Sequence, residues 1–226
     1  MLALAGAAVL AMLLAPPLDA LAGRSFAWHM LQHLGLTMGV APLLTLSNFG
    51  RVLLRLLPDG ARRRSVRALR AKPIALATGP LVAWTVFAAV LYAAHFSPLY
   101  EAALEHEPMH AIEHALFLGA ALLFWQPLAG GSARELGYPA RVLYAFLALP
   151  QGAFVGLALY AADVPLVPHY VEVEGIAGAL ADQRAAGEIM WLGSGMVMLV
   201  ALLCVVAAWS RHERRIEILF DRIRQG

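Results

Sequence analysis

Six apolar blocks, at 1–18, 26–47, 74–95, 109–129, 141–162 and 187–209, dominate the chain. Each approaches the roughly 20 residues a helix needs to cross a bilayer core of about 30 Å. Of 226 residues, 61% are hydrophobic and only 14% charged, against about 25% charged in an ordinary soluble domain. Too few polar residues remain to cover a soluble core of this size, so the blocks must face lipid or one another. Short alternating segments of the kind that build barrels are absent. The expected fold is all-α: a polytopic transmembrane helix bundle of six spans, a single domain over 1–226 in a lipid bilayer.

The basic residues decide the expected orientation. Arg51, Arg55, Arg62, Arg63, Arg64, Arg67, Arg70 and Lys72 lie between the second and third blocks. Arg134 and Arg141 flank the fourth–fifth connection, and Arg211, Arg214, Arg215, Arg222 and Arg224 fill the tail. Fifteen of the 17 basic residues thus fall on one side, leaving Arg24 and Arg184 on the other. The positive-inside rule makes the first side cytoplasmic, with both termini inside. Topology accounts for these arginines, and no nucleic-acid partner is expected. Ala20-Leu21-Ala22 resembles a signal-peptidase site, but no Lys or Arg precedes the apolar run, which argues against cleavage.

Pro42 and the Pro150-Gln151-Gly152 run fall inside blocks, where a proline frees a carbonyl and bends a helix. Gly152 and Gly156 suit close helix contact. Trp28, Trp125 and Trp209 fall near block ends, as interfacial anchors do. The single cysteine, Cys204, excludes an internal disulfide and is expected as an inert packed thiol.

Seven of the eight histidines fall on the side that arginine avoids. His29 and His33 open the second block, His95 closes the third, His106, His110 and His114 open the fourth, and His169 sits in the last outer loop. Residues four apart share a helix face. His106, His110 and His114 extend that face over two turns if the helix starts early, with Pro108 confined to its first turn. Two such faces meeting in a bundle, with His95 from a third helix, supply a metal site. Ionisable groups at membrane depth are costly and by default mark function.

Imidazole suits zinc, copper, iron and nickel, and thioethers favour Cu(I). Met30, Met109 and Met190 lie at the same end, which tilts the expectation toward copper. Glu113 and Asp182 are the acids placed to support the histidines, as carboxylates orient ligating imidazoles. The other outer acids are expected simply to populate the side that basic residues avoid.

His106-Glu107-Pro108-Met109-His110 also reads as HExxH, a zinc-protease pattern, and His110-Ala111-Ile112-Glu113-His114 as its inverted form. A histidine repeat with interspersed glutamates produces both by chance, and no enzymatic activity is expected. A haem cytochrome is a further alternative, but four-residue spacing at one end suits a compact ion better than a macrocycle.

Four stretches carry a family resemblance: PPLDALAGRSFAWHMLQHLGLTMGVAPLL (16–44), LYAAHFSPLYEAAL (91–104), HEPMHAIEHALFLGAALLFWQPL (106–128) and DQRAAGEIMW (182–191). In these the sequence resembles the CtaG-type cytochrome c oxidase assembly factors, polytopic proteins of the bacterial plasma membrane. The resemblance implies a role in supplying copper to a haem-copper oxidase, with an oxidase subunit and a copper donor protein as partners. Oligomers remain open. Carried onto this sequence, it highlights His29, Met30, Gln32, His33, His95, His110, Glu113, His114, Asp182, Gln183 and Trp191. Glu188 stands where a small residue is expected after Gly187. The family also looks similar to copper-uptake proteins, so transport is the alternative. The expected metal set is His29, His33, His95, His110 and His114, with His106, Glu113, Asp182 and Met30 as supplementary candidates, all extracytoplasmic.

Overall fold

The structure, a computed structural model, describes residues 1–130 and 136–225. Arg134 lies outside the described residues. The fold is all-helical, with no strand among the described residues. In chain order the helices are α1 (Leu2–Leu13), α2 (Pro16–Ala22), α3 (Phe26–Leu34), α4 (Ala41–Leu46), α5 (Phe49–Leu56), α6 (Asp59–Leu69), α7 (Lys72–Ala77), α8 (Pro80–Phe96), α9 (Leu99–Glu105), α10 (Glu107–Ala129), α11 (Tyr138–Ala161), α12 (Pro168–Glu188) and α13 (Ser194–Gln225). Wider π turns, Gly35–Val40 and Ile189–Gly193, join α3 to α4 and α12 to α13 without a break.

Three helical runs are long and apolar enough to cross a membrane: Glu107–Ala129, Tyr138–Ala161 and Pro168–Arg224. Two bent pairs, α1 with α2 (58°) and α8 with α9 (66°), raise the number to as many as five. The expected second span is a continuous rod from Phe26 to Leu46 but is not among them. His29, Gln32 and His33 lower its hydropathy.

Several expected boundaries move. The first block breaks before Pro16-Pro17, because proline at a helix start cannot continue the preceding turn. The third begins at Pro80 rather than 74, since 72–77 is a separate short helix. The connection between the fifth and sixth blocks is itself helical from Pro168, broken only at Gly175, whose φ of +73° is open to glycine without strain.

The α3–α4 rod is central, packed by α1, α2, α10 and α12. One buried apolar cluster, including Phe26, Met30, Leu91, Phe117, Leu159 and Tyr170, sits at its histidine-bearing end. A second, with Ala41, Phe87, Phe124, Trp125, Tyr144 and Met198, fills the other end.

Trp125 is buried, not an interfacial anchor. Its indole N–H donates to the Thr37 carbonyl at 2.9 Å, inside the π turn that precedes Pro42. Irregular backbone in an apolar core needs such a partner. Trp28 is exposed, and Trp209 donates to the Glu213 carboxylate at 2.9 Å. Cys204 is exposed on α13 and not packed.

Gly156 and Gly187 bring α11 and α12 into backbone contact. A Cβ on Gly187 would stand 2.5 Å from the Gly156 carbonyl oxygen. Gly152 lies against the Ser194 side chain. Glu188 points outward beside this contact and leaves it undisturbed.

Candidate metal centre

α3 starts under a double cap. The Ser25 hydroxyl accepts from the Trp28 amide at 3.3 Å. Asp182 reaches across from α12: it accepts from the Ser25 hydroxyl at 3.0 Å, from the Phe26 amide, and from the Ala27 amide at 3.3 Å. First-turn amides have no partner within a helix, and a carboxylate there also meets the positive end of the helix dipole. Asp182 therefore positions the histidine helix, and its carboxylate is turned to that backbone. It belongs to none of the groups of ligand atoms described below, contrary to its expected place beside the metal.

From this start, His29 and His33 fall one turn apart on the buried side of α3. Their Nε2 atoms are 3.0 Å apart. Glu113, entering from α10, places Oε2 3.4 Å from His29 Nε2 and 3.5 Å from His33 Nε2. Three ligand atoms around one ion with bonds of about 2.0 Å are separated by about 3.3 Å in tetrahedral geometry. The triangle has the dimensions of an ion's coordination face.

The network around His29 sets its tautomer. The Tyr170 hydroxyl donates to the Ala22 carbonyl at 2.9 Å, so its 3.2 Å contact with His29 Nδ1 uses the ring's proton. Tyr100, 3.4 Å away, donates to the remaining lone pair of Tyr170. His29 Nε2 then carries a lone pair facing the triangle, where it accepts from His33 Nε2–H at 3.0 Å without an ion and is set to ligate with one, the arrangement common to ligating histidines.

His110 and His114 complete the cluster from α10. Their Nε2 atoms, both oxygens of Glu113 and Nδ1 of His33 are buried without a hydrogen-bond partner among the described residues. Buried polar atoms are ordinarily paired, and an unpartnered buried carboxylate is costly. A cation at the triangle would offset that cost. Ligand atoms lie within 4.8 Å of one another in three overlapping groups: His29–His33–His114, His29–His110–Glu113 and Asp19–His110–His114. The residues present fit a metal ion.

His95 and Met30 form a further pair. His95 Nδ1 donates to the Leu91 carbonyl at 2.7 Å, which leaves its Nε2 lone pair 3.2 Å from the Met30 sulfur. Neither atom has a proton to share, and an imidazole with a thioether is a donor set for a soft ion. The His95 and His33 rings are 6.0 Å apart between centroids, so this pair adjoins the triangle rather than joining it.

His106 departs from the expected pattern. It is exposed, with extended backbone (φ −132°, ψ 111°), at the N-cap of α10, because Pro108 occupies the helix's opening turn. It belongs to none of the three groups, and HExxH does not place its two histidines on one helical face. His110, Glu113 and His114 are helical and face the cluster. Ring centroids 4.1 Å (His110–His114) to 6.4 Å (His29–His114) apart leave room for an ion and none for a macrocycle.

Of the residues highlighted by resemblance, Gln32 donates to Asp19 Oδ1 at 3.0 Å and to the Leu13 carbonyl at 2.9 Å. Gln183 ties down the α11–α12 connection through Leu159, Val164 and Leu166. Trp191 is exposed.

Asp19, Tyr100 and Tyr170 are the site residues that the pattern of histidines does not reveal. Asp19 did carry a signal, as the only acid in the first 25 residues. Nothing in the sequence distinguishes Tyr170 from an outer-loop tyrosine.

The chain is similar to several curated proteins. Uncharacterized proteins of Mycobacterium bovis and Mycobacterium tuberculosis are each 27% identical to it over 209 residues, and one of Mycobacterium leprae is 25% identical over 209. Each alignment covers 87% of this chain and 32% of the relative, so the chain spans about a third of the length of the curated relatives it matches. No solved structure matches it significantly. The profile described as cytochrome c oxidase caa3 assembly factor matches residues 1–212, from α1 into α13 and with the histidine cluster inside: the chain belongs to the caa3-type cytochrome c oxidase assembly factor family.

Proposed function

We propose that the protein binds copper through this cluster and supports maturation of a copper centre in a haem-copper cytochrome c oxidase of the bacterial plasma membrane. The carrying observation is the triangle of His29 Nε2, His33 Nε2 and Glu113 Oε2, with edges of 3.0, 3.4 and 3.5 Å. His110 and His114 stand beside it with unpartnered ring nitrogens, and Met30 with His95 offers a softer donor pair. Copper supplies no chemistry beyond being carried. It leaves by ligand exchange, and the protein needs no catalytic step.

In this reading the chain crosses the membrane six times as one domain, with both termini in the cytoplasm. The α3–α4 rod, second in chain order, is the crossing added to those five, masked in composition by its own ligands. The arginine-bearing α5 and α6 follow the opposite end of that rod from His29 and His33, so the positive-inside rule puts the cluster on the extracytoplasmic side. An oxidase subunit and a copper donor protein are its partners there.

Transport is the alternative: Met38 and the buried Met198 lie further along the bundle from the histidines, whereas Met196 and Cys204 are exposed on α13. Metal analysis of the purified protein beside a His33→Ala/His114→Ala double variant tests copper binding. A wild type that retains no more copper than the variant refutes it. Loss of oxidase activity in a deletion strain with normal cellular copper supports assembly, whereas copper uptake by reconstituted vesicles supports transport.

A further inference from the structure

On the premise that the buried cluster holds copper, we propose that Asp19 and His110 form an outer binding post at which the ion is received before passing inward through His114.

The geometry separates an outer group from an inner one. Asp19 Oδ1 lies 3.9 Å from His110 Nδ1, and the two side chains are 42% and 17% exposed respectively. His29 and His33, by contrast, are 0% and 1% exposed. Asp19, His110 and His114 bring ligand atoms within 4.8 Å of one another, and so do His29, His33 and His114. His114 belongs to both groups, and His110 also comes within the same distance of His29 and Glu113, so the outer and inner positions share ligands. They are successive positions for one ion.

The donors change in the order a hydrated cation requires. A half-exposed carboxylate attracts the ion while water still occupies its open side. Imidazoles then replace the remaining water as the ion moves inward to the buried Glu113 charge. An ion moving directly into the buried triangle would have to lose its hydration in one step.

α2, which carries Asp19, is fixed over the cluster. The Gln32 amide donates to Asp19 Oδ1 at 3.0 Å, and the Ala22 carbonyl at the end of α2 accepts from Tyr170 at 2.9 Å. His169 Nε2 donates to the neighbouring Gly23 carbonyl at 2.8 Å. The carboxylate is thus held in place, not carried by a loose terminus.

The test is Asp19→Asn, which keeps an oxygen for Gln32 and removes the charge. The full-length protein in detergent is loaded from Cu(I) held by a weak chelator, and both uptake rate and final copper content are followed. The expected result is unchanged final content reached at about a tenth of the wild-type rate, the lower end of what a focused local charge contributes to association, with the rate restored in Asp19→Glu. An unchanged rate in Asp19→Asn overturns the outer post. So does a loss of final copper equal to that of His33→Ala, which would make Asp19 a ligand of the inner site itself. A wild type that retains no copper removes the premise instead, and the two failures are told apart by that control.

Discussion

The Asp182 carboxylate caps the helix that presents His29 and His33, accepting from the backbone amides of Phe26 and Ala27 more than 150 positions earlier in the chain. The registration of His29 and His33 on α3 therefore depends on α12. Removing the carboxylate in Asp182→Ala is expected to cost about 0.5–2 kcal/mol, the range for a lost helix cap, and to weaken copper retention because α3 frays at its ligand-bearing end. Thermal unfolding in detergent, with and without copper, measures both. Unchanged values in the two conditions would contradict the capping role.

Tyr170→Phe separates orientation from packing. The phenyl ring keeps its stack on Phe26, with centroids 5.3 Å apart and planes at 14°, while the hydroxyl that accepts from His29 Nδ1 is lost. Loss of such an orienting partner typically costs about 10–100-fold in metal affinity. Competition against a chelator of known affinity should show that drop with helicity unchanged by circular dichroism.

Glu113→Gln should move two measurements in opposite directions. Copper affinity falls, because the charge beside His29 and His33 is gone. The metal-free protein becomes no less heat-stable, because an unpartnered buried carboxylate is replaced by a neutral amide. A fall in metal-free stability would mean that Glu113 is already well paired in the absence of an ion.

His106→Ala serves as the internal control for the cluster. An exposed N-cap residue outside all three ligand groups should leave copper content at the wild-type level, while His33→Ala/His114→Ala abolishes retention. Equal losses in both variants would place His106 among the ligands after all.

Gly156→Val tests the α11–α12 contact independently of metal. The added side chain meets the Gly187 carbonyl and the Trp191 backbone. Overpacking of this kind costs about 1–3 kcal/mol, read as a lower unfolding temperature at every copper concentration.

Much of this protein is written in local periodicity. Apolar runs of span length, arginines gathered beside alternate ends and histidines four apart each depend on neighbours within a turn or two. An all-helical bundle with its histidines at one end follows from these without knowledge of any distant contact. Pro108 likewise foretold that α10 could not begin before its own first turn.

Other roles depend on partners that no local pattern names. Asp182 and Asp19 look alike as outer acids, yet one is turned to the backbone of α3 and the other toward His110. Trp125 sits where an interfacial anchor belongs but bonds to Thr37, 88 positions away. Met30 next to His29 is ordinary core filler until α8 brings His95 to within 3.2 Å of its sulfur. Periodicity selects the face of a helix on which a side chain lies. What it touches is set by how the helices pack, and that packing follows from long-range burial and close glycine contacts such as Gly156 on Gly187.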